Sequence, residues 1–180
     1  WDPPEQRLYP VIDDLLEVSG ISLGRLVLHR EPVELTAMLR SVVRWAAPAA
    51  THHRLVLNAP EAVSVSADLP RLEQAVRRLV DNAIRYSPPG NVEIDVAPSD
   101  KYVVISVRDR GIGIPADQKS RIFELFFRAH AGTPYDVGGL GIGLFLAREI
   151  TVRHGGAMWF ESEEGRGSTF YMRLPRAEVA

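Results

Sequence analysis

The feature that most constrains this chain is a set of three short glycine-bearing segments, which follow a predicted helix that carries an asparagine. The glycine segments start at Asp109, Gly138 and Gly165, and Asn82 lies in the run Asp81–Ser87. One glycine loop is weak evidence for any function, because turns of many folds need glycine. Four such elements in this order predict a nucleotide pocket.

Composition narrows the class of protein. The chain has 180 residues, 46% of them hydrophobic, which suits one domain plus a short appendage. A net charge of −2 gives no reason to expect nucleic acid or membrane contact, and the absence of cysteine excludes disulfides and thiolate sites. We find neither a signal-peptide pattern nor an apolar run of membrane-spanning length, so we expect a cytoplasmic domain of a parent protein that is either free or membrane-anchored. The start at Trp1 predicts a fragment.

Near the N-terminus, apolar residues recur at helical spacing. They predict a helix with Pro10 near its start and Ser19-Gly20 at its end. Its stripe comprises Leu8, Val11, Ile12, Leu15 and Leu16. We interpret this segment as the tail of a longer helix that pairs with a partner chain. The alternative is a helix that packs on its own domain.

Alternation and turn signals predict the other elements. Strands are expected at 26–28, 54–58, 63–67, 91–96, 102–107, 158–162 and 169–174. Helices are expected after Pro32, from the capping residue Asp68 to about Tyr86, and over 115–127 and 140–154. The sum is an α+β fold, a two-layer α/β sandwich whose mixed, mostly antiparallel sheet carries helices on one face.

The residue types in the four segments suit a nucleotide. Asp109 follows a predicted strand, so its carboxylate can accept a hydrogen bond from an exocyclic amine of a base. Gly139, Gly141 and Gly143 open a predicted helix, where unpaired N–H groups favour phosphate. Asn82 is an acceptable magnesium ligand, and Arg85 shares its helix face. Each pattern taken alone is also typical of an ordinary turn or polar helix face.

Together these residues resemble the ATP-binding catalytic domain of sensor histidine kinases, in the GHKL superfamily with the Bergerat fold. The resemblance covers 26–176. It is carried by the motifs Asp81–Ser87, Asp109–Ile114, Ile122–Arg128, Gly139–Leu144 and Gly165–Phe170. It implies that 1–25 is the end of a dimerisation helix and linker, and that 26–180 is the ATP-binding kinase domain.

The resemblance also implies a ligand set of ATP and Mg²⁺. Asn82 should hold the metal, Arg85 and Arg128 should contact the γ-phosphate as catalytic residues, and Asp109 should bind the adenine amine. Tyr86 should flank the base or ribose, and the loop 128–138 should close over ATP as a lid. Further nucleotide contacts are expected from Gly111, Gly113, Ile114, Gly139, Leu140, Gly141, Ile142, Gly143, Leu144 and Thr169.

Two positions depart from the family pattern. Arg78 stands where many relatives carry a second asparagine, and Leu125 stands where an arginine is frequent. Gyrase-like and chaperone ATPases carry a glutamate base at position 78. Arginine stays protonated and cannot act as that base, which favours a kinase over an ATPase.

No histidine matches the family's phosphate acceptor. His130 precedes a Thr-Pro pair at the wrong spacing, and His154 is expected to cap a helix end as a partly charged imidazole. The expected partners are therefore the dimerisation and phosphotransfer domain of the same protein and a response-regulator receiver domain, in a homodimeric parent. The fragment should bind ATP without phosphorylating itself.

Two other functions compete with this interpretation. The run from Gly111 to Ala116 also satisfies a dinucleotide-binding fingerprint, but no parallel strand is predicted after it. A catalytically weak nucleotide-binding regulatory module of the same fold is the alternative that stays open.

Overall fold

The computed structural model describes residues 4–60, 62–136 and 139–176, with side chains from residue 11 onward. The helices are α1 (Pro4–Ser22), α2 (Leu35–Ala46), α3 (Leu69–Arg85) and α4 (Gly143–Arg153), and a single 3-10 turn spans Lys119–Arg121. The strands are β1 (Glu31–Glu34), β2 (His53–Asn58), β3 (Ser64–Ala67), β4 (Gly90–Pro98), β5 (Tyr102–Arg108), β6 (Ala157–Glu163) and β7 (Gly167–Pro175).

Five strands form a mixed sheet in the order β2-β4-β5-β7-β6, in which only β2 and β4 run parallel. Side chains alternate across it: Phe170 and Met172 of β7 are buried beneath the helices, whereas Tyr171 stacks on Trp159 on the outer face. A separate two-stranded sheet pairs β1 with β3. The predicted α+β sandwich with helices on one face is confirmed.

Helix α3 places the asparagine motif. Asp68 caps it by accepting a hydrogen bond from the N–H of Arg71 at 3.3 Å, as the sequence predicted. The apolar residues of its buried face are Leu72, Ala75, Val76, Leu79, Val80 and Ala83. Burial of this stripe against the sheet fixes the rotation of the helix, so Asn82 and Arg85 face the opening between α3 and α4.

Three boundaries predicted from sequence are wrong. Residues 26–28 form no strand, because the pairing with β3 begins at Glu31. The predicted helix at 115–127 is reduced to one 3-10 turn, and near the end of that run Phe126 adopts a φ of 68° and donates its N–H to the Gly141 carbonyl at 2.9 Å. The helix predicted from 140 begins at Gly143, after an irregular stretch in which Gly141 has a φ of 72°.

The first helix also differs from its prediction. It runs from Pro4 to Ser22, so Pro10 lies inside it and Gly20 does not end it. Val18 and Ile21 are buried against Ile142 and Leu146. Of the predicted stripe, Ile12, Leu15 and Leu16 are exposed and Val11 is half-buried, while the side chain of Leu8 lies outside the described part. Helix α1 thus packs on α4 through one edge and leaves a second apolar edge uncovered, and the domain boundary at residue 25 stays a prediction.

His154 contradicts its predicted state. It is 1% exposed, its Nε2 accepts the N–H of Asp68 at 3.0 Å, and its Nδ1–H donates to the Ile150 carbonyl at 2.7 Å. Burial lowers the pKa of this imidazole, so it is neutral rather than partly charged. The side chain therefore ties the end of α4 to the cap of α3. Among the described helices, none has the length and apolarity needed to cross a bilayer.

Candidate nucleotide-binding site

A cavity of about 720 Å³ opens between α3, α4 and the carboxyl end of β5. The predicted site residues that line it are Asn82, Arg85, Tyr86, Asp109, Gly113, Ile114, Arg128, Gly139, Leu140, Gly141, Ile142, Gly143 and Leu144. This volume lies in the range of small-molecule and cofactor sites. The four sequence segments therefore converge on one cavity, although they are far apart along the chain.

Asp109 is the buried acid of the cavity. It directly follows β5, is 5% exposed, and its Oδ1 accepts hydrogen bonds from the N–H groups of Gly111 at 2.8 Å and Ser168 at 3.4 Å. Burial raises the pKa of this carboxyl to about 6, against the lowering effect of those two N–H groups. The donors hold Oδ1 in place, so the remaining oxygen can accept a hydrogen bond from a ligand amine.

Gly111 lets this segment pass close to α3. A Cβ at this position would lie 2.0 Å from the carbonyl oxygen of Tyr86, which accepts the N–H of Ile112 at 3.2 Å. No side chain larger than hydrogen fits at such a distance. Gly111 thus supports Asp109 from behind, and it is not itself a wall of the cavity.

Asn82 and Arg85 stand on the cavity side of α3. The Nε of Arg85 lies 3.0 Å from Oδ2 of Asp81, in an ion pair that is largely exposed. Its Nη1 lies 4.0 Å from the point that a Cβ atom would occupy if Gly139 were a larger residue. The guanidinium therefore reaches across the cavity mouth toward the glycine segment, where an anionic ligand can replace the weak exposed pair.

The start of α4 supplies free donors. Ile142 is its N-cap residue and offers no side-chain hydrogen bond to the first turn. The unpaired N–H groups of that turn and the positive end of the helix dipole favour a phosphate. Gly141, which precedes the cap, is required because a Cβ there would lie 2.6 Å from the Phe127 carbonyl oxygen.

The described part of the lid loop folds against the cavity. Arg128 forms an ion pair with Asp136 of the same loop. His130 is buried and donates from Nε2 to the Gly113 carbonyl at 2.9 Å, and its ring centroid lies 6.2 Å from that of Tyr86. Burial raises the pKa of Tyr86. Val137 and Gly138, which belong to the predicted lid, lie outside the described residues.

The structure differs from the predicted site at two residues. Gly111 and Thr169 are not cavity walls; in β7 the alternation of the strand turns Ser168 and Phe170 toward the cavity instead. Sequence reasoning missed Val11 and Asp14, which α1 contributes to the wall. It also missed the wall residues Arg78, Asp81, Ile122, Phe127, Ala129, His130, Ser168 and Phe170. The carboxylates Asp14 and Glu17 stand on one face of α1 and could have indicated a basic partner helix.

The residues of the cavity suit a magnesium ion that is coordinated partly by the protein and partly by phosphate oxygens of a ligand. Among the described residues, no group of three or more His, Asp or Glu side chains could hold a metal by itself. Asn82 offers one amide oxygen at the wall, which is the hard donor that Mg²⁺ accepts alongside phosphate oxygens and water. The donor set therefore suits an ion delivered with a nucleotide rather than a resident metal.

Comparison with known families decides the relationship. The sequence model of one protein family, the histidine kinase-, DNA gyrase B- and HSP90-like ATPases, matches residues 67–178 of this chain. The chain belongs to this family. The sensor histidine kinase WalK of Bacillus subtilis is 30% identical over 96% of the chain and 29% of its own length. The signal transduction histidine-protein kinase BarA of Escherichia coli is 34% identical over 93% of the chain and 19% of its own length.

Solved structures agree. A mycobacterial sensor histidine kinase, MprB, superposes with a TM-score of 0.75 at 26% identity, over 83% of this chain and all of that one. Full-length ShkA, solved in complex with AMPPNP, superposes with a TM-score of 0.76 at 27% identity over 99% of the chain and 40% of its own. Within the family the chain therefore groups with the catalytic domains of sensor histidine kinases, and it spans less than half the length of the curated relatives it matches.

The dinucleotide-binding alternative is excluded by the fold. No parallel strand follows Gly111–Ala116 in the described chain, and β5 is flanked by antiparallel neighbours. A dinucleotide fingerprint needs a helix directly after its glycines and a parallel strand after that helix. Here a 3-10 turn and the lid loop follow instead.

Proposed function

We propose that this chain binds ATP with Mg²⁺ and presents the γ-phosphate to a histidine imidazole on a separate dimerisation and phosphotransfer domain of the same protein. One observation carries the proposal. A single cavity joins a buried amine acceptor (Asp109), a magnesium-compatible amide (Asn82) and the uncapped start of α4. These are the parts that a nucleotide's base, metal and phosphates need.

The base end is the enclosed end. The outer oxygen of Asp109 accepts a hydrogen bond from the adenine amine, while Gly111 and Ser168 hold the inner oxygen. Guanine presents a carbonyl where adenine has that amine, so the buried carboxylate is left unpaired with GTP. The site thereby selects adenine over guanine.

The phosphate end is the cationic end. The N–H groups at the start of α4 bind phosphate oxygens, and Arg85 and Arg128 exchange their present carboxylate partners for the terminal phosphate. Asn82 holds the ion, which neutralises charge on the phosphates when bound. Because Arg78 cannot act as a base toward water, the residues present favour transfer to a better nucleophile over hydrolysis.

The parent protein is proposed to act in the cytoplasm as a homodimer that passes phosphate to a response-regulator receiver domain. The exposed apolar edge of α1, formed by Ile12, Leu15 and Leu16, suits packing against a second helix pair. The names of WalK, a sensor histidine kinase, and BarA, a signal transduction histidine-protein kinase, support this role over a catalytically weak nucleotide sensor.

Transfer to histidine is the direct test. The chain is joined to the acceptor helix pair of a relative and incubated with γ-labelled ATP and Mg²⁺, and acid-labile phosphate is quantified. We expect transfer that Asn82→Ala abolishes and that Asn91→Ala, a change at an exposed asparagine, leaves intact. Tight ATP binding without transfer in the unaltered chain would instead support the regulatory-module alternative.

A further inference from the structure

Arg78 lies in the wall of the cavity, at the point where α1, α3 and α4 meet. Its side chain is 15% exposed, and its Nη2 lies 2.7 Å from Oδ1 of Asp14 and 3.5 Å from Oε2 of Glu17. Its Nη1 is 3.9 Å from the position of a Cβ on Gly143, the first residue of α4. The guanidinium therefore faces the same uncapped helix start that suits the phosphates.

The two carboxylates on Arg78 are not equally committed to it. Glu17 also pairs with Arg71 and accepts a hydrogen bond from Gln74 at 3.1 Å. Asp14, a wall residue of the cavity, pairs with Arg78 alone among the described residues. Loss of Arg78 as a partner would thus leave Glu17 satisfied and Asp14 without a counterion.

Arg78 still has unused hydrogen-bonding capacity. Its Nε is buried and has no partner within the described chain. A guanidinium remains charged at every physiological pH and binds phosphate through two parallel N–H donors. It stands one helical turn before Asn82 on α3, so an oxygen anion that reaches Asn82 also comes within reach of Arg78.

We propose that Arg78 is a binding residue for the terminal phosphates of a nucleoside triphosphate, and that Asp14 competes with those phosphates for its guanidinium. Asp14 thereby acts as an internal substitute for the phosphates while α1 is docked. The inference rests on the proposed nucleotide site and adds to it a residue that departs from the family pattern. Because the two anions compete, triphosphate binding weakens the docking of α1, and docked α1 weakens triphosphate binding to the same degree.

The test compares ATP with adenosine, which lacks phosphates, by titration calorimetry on the 180-residue chain. Asp14→Asn removes the competing charge, and Asp13→Asn is the matched control because Asp13 is exposed on the same helix. Since the Asp14 pair is partly exposed, we expect ATP to bind about threefold more tightly to Asp14→Asn. Adenosine affinity should not change in either variant.

A second variant, Arg78→Gln, completes a double-mutant cycle with Asp14→Asn. We expect it to weaken ATP binding roughly tenfold through lost charge-assisted hydrogen bonds, to leave adenosine binding unchanged, and to remove the gain from Asp14→Asn in the double variant. Hydrogen exchange supplies a second readout: ATP, but not adenosine, should raise exchange of the backbone amides at 11–18. Asp14→Asn alone keeps the test decisive if Arg78→Gln unfolds.

The experiment distinguishes failure of this inference from failure of the proposed function. If ATP binds the unaltered chain but Asp14→Asn behaves like Asp13→Asn, or its gain persists without Arg78, the competition is refuted while the nucleotide site stands. If α1 exchange responds equally to adenosine and ATP, the phosphates are not the competing group. If neither ligand binds the unaltered chain, the proposed function itself is wrong, and this inference falls with it.

Discussion

Replacement of Asp109 by asparagine should make the protein more stable and less able to bind ATP. The folded state keeps a carboxylate that is 5% exposed, and its pKa is raised from 3.8 to about 6. At about 1.4 kcal/mol per pH unit, this difference corresponds to about 3 kcal/mol of stability lost at neutral pH. The site therefore retains a destabilising charge, as expected of a group kept for ligand recognition.

The asparagine side chain in this variant removes the negative charge and keeps the size and shape of the aspartate. Its oxygen can still accept the N–H groups of Gly111 and Ser168, while its NH₂ group loses hydration. After that penalty we expect a net gain of roughly 1–2 kcal/mol at pH 7, or about 3–6 °C in Tm for a domain of this size. ATP affinity should fall at least about tenfold, because an NH₂ group cannot accept the adenine amine.

The pH dependence identifies the cause. The unfolded chain releases this proton near pH 3.8 and the folded chain near 6, so the folded state binds more protons between these values. The contribution of Asp109 to the unfolding free energy therefore falls as pH rises from about 4 to about 6. Asp109→Asn lacks this fall, so its advantage should be small at pH 4 and complete by pH 7.

Urea unfolding of both proteins from pH 4 to 7 measures the difference, with calorimetry for ATP and GTP. Asp100→Asn, at an exposed carboxylate in the β4–β5 turn, serves as the control and should change neither property. A variant that is less stable at pH 7, or whose advantage is the same at every pH, would refute the buried-charge argument. Retained preference for ATP over GTP would refute the role of Asp109 in base recognition.

Three further changes test the metal ligand, the glycine before α4 and the buried histidine. Asn82→Ala should abolish the Mg²⁺ dependence of ATP affinity in calorimetry, and unchanged binding would remove the metal assignment. Gly141→Ala should cost about 1–3 kcal/mol in urea unfolding and weaken ATP binding, because φ is 72° and Phe127 blocks a Cβ; wild-type stability would contradict this. Because burial lowers the pKa of His154, the unfolded chain takes up a proton below about pH 6.5 before the folded one does, so stability should fall on acidification there. A His154→Gln variant with the same pH slope would exclude this histidine as the source.

Local sequence signals were sufficient wherever one physical cause dominated. Alternation fixed β4 and β5, and the Asp68 cap with its apolar stripe fixed α3, because each depends on burial of one face. Residue types in fixed order also led to the cavity: Asn82, Asp109 and the start of α4 come together as predicted.

The sequence predictions that were wrong depend on contacts between segments that are far apart in the chain. The run 115–127 was predicted as a helix. Ile114, just before it, donates its N–H to Ser162, and Phe126 near its end donates its N–H to Gly141, so both ends are held by non-helical contacts. Thr169 was carried over by resemblance, and the strand's pleat turns its neighbours to the cavity instead. The charge state of His154 and the contribution of Asp14 depend on packing between distant helices, which no local pattern reveals.

The most direct measurement is a crystal structure of this chain with Mg²⁺ and a non-hydrolysable ATP analogue. We expect the adenine amine on Asp109, the ion on the Asn82 side-chain oxygen, and the phosphates at the N–H groups that begin α4. A nucleotide bound elsewhere, a base that does not contact Asp109, or an ion that Asn82 does not coordinate would contradict the proposed site.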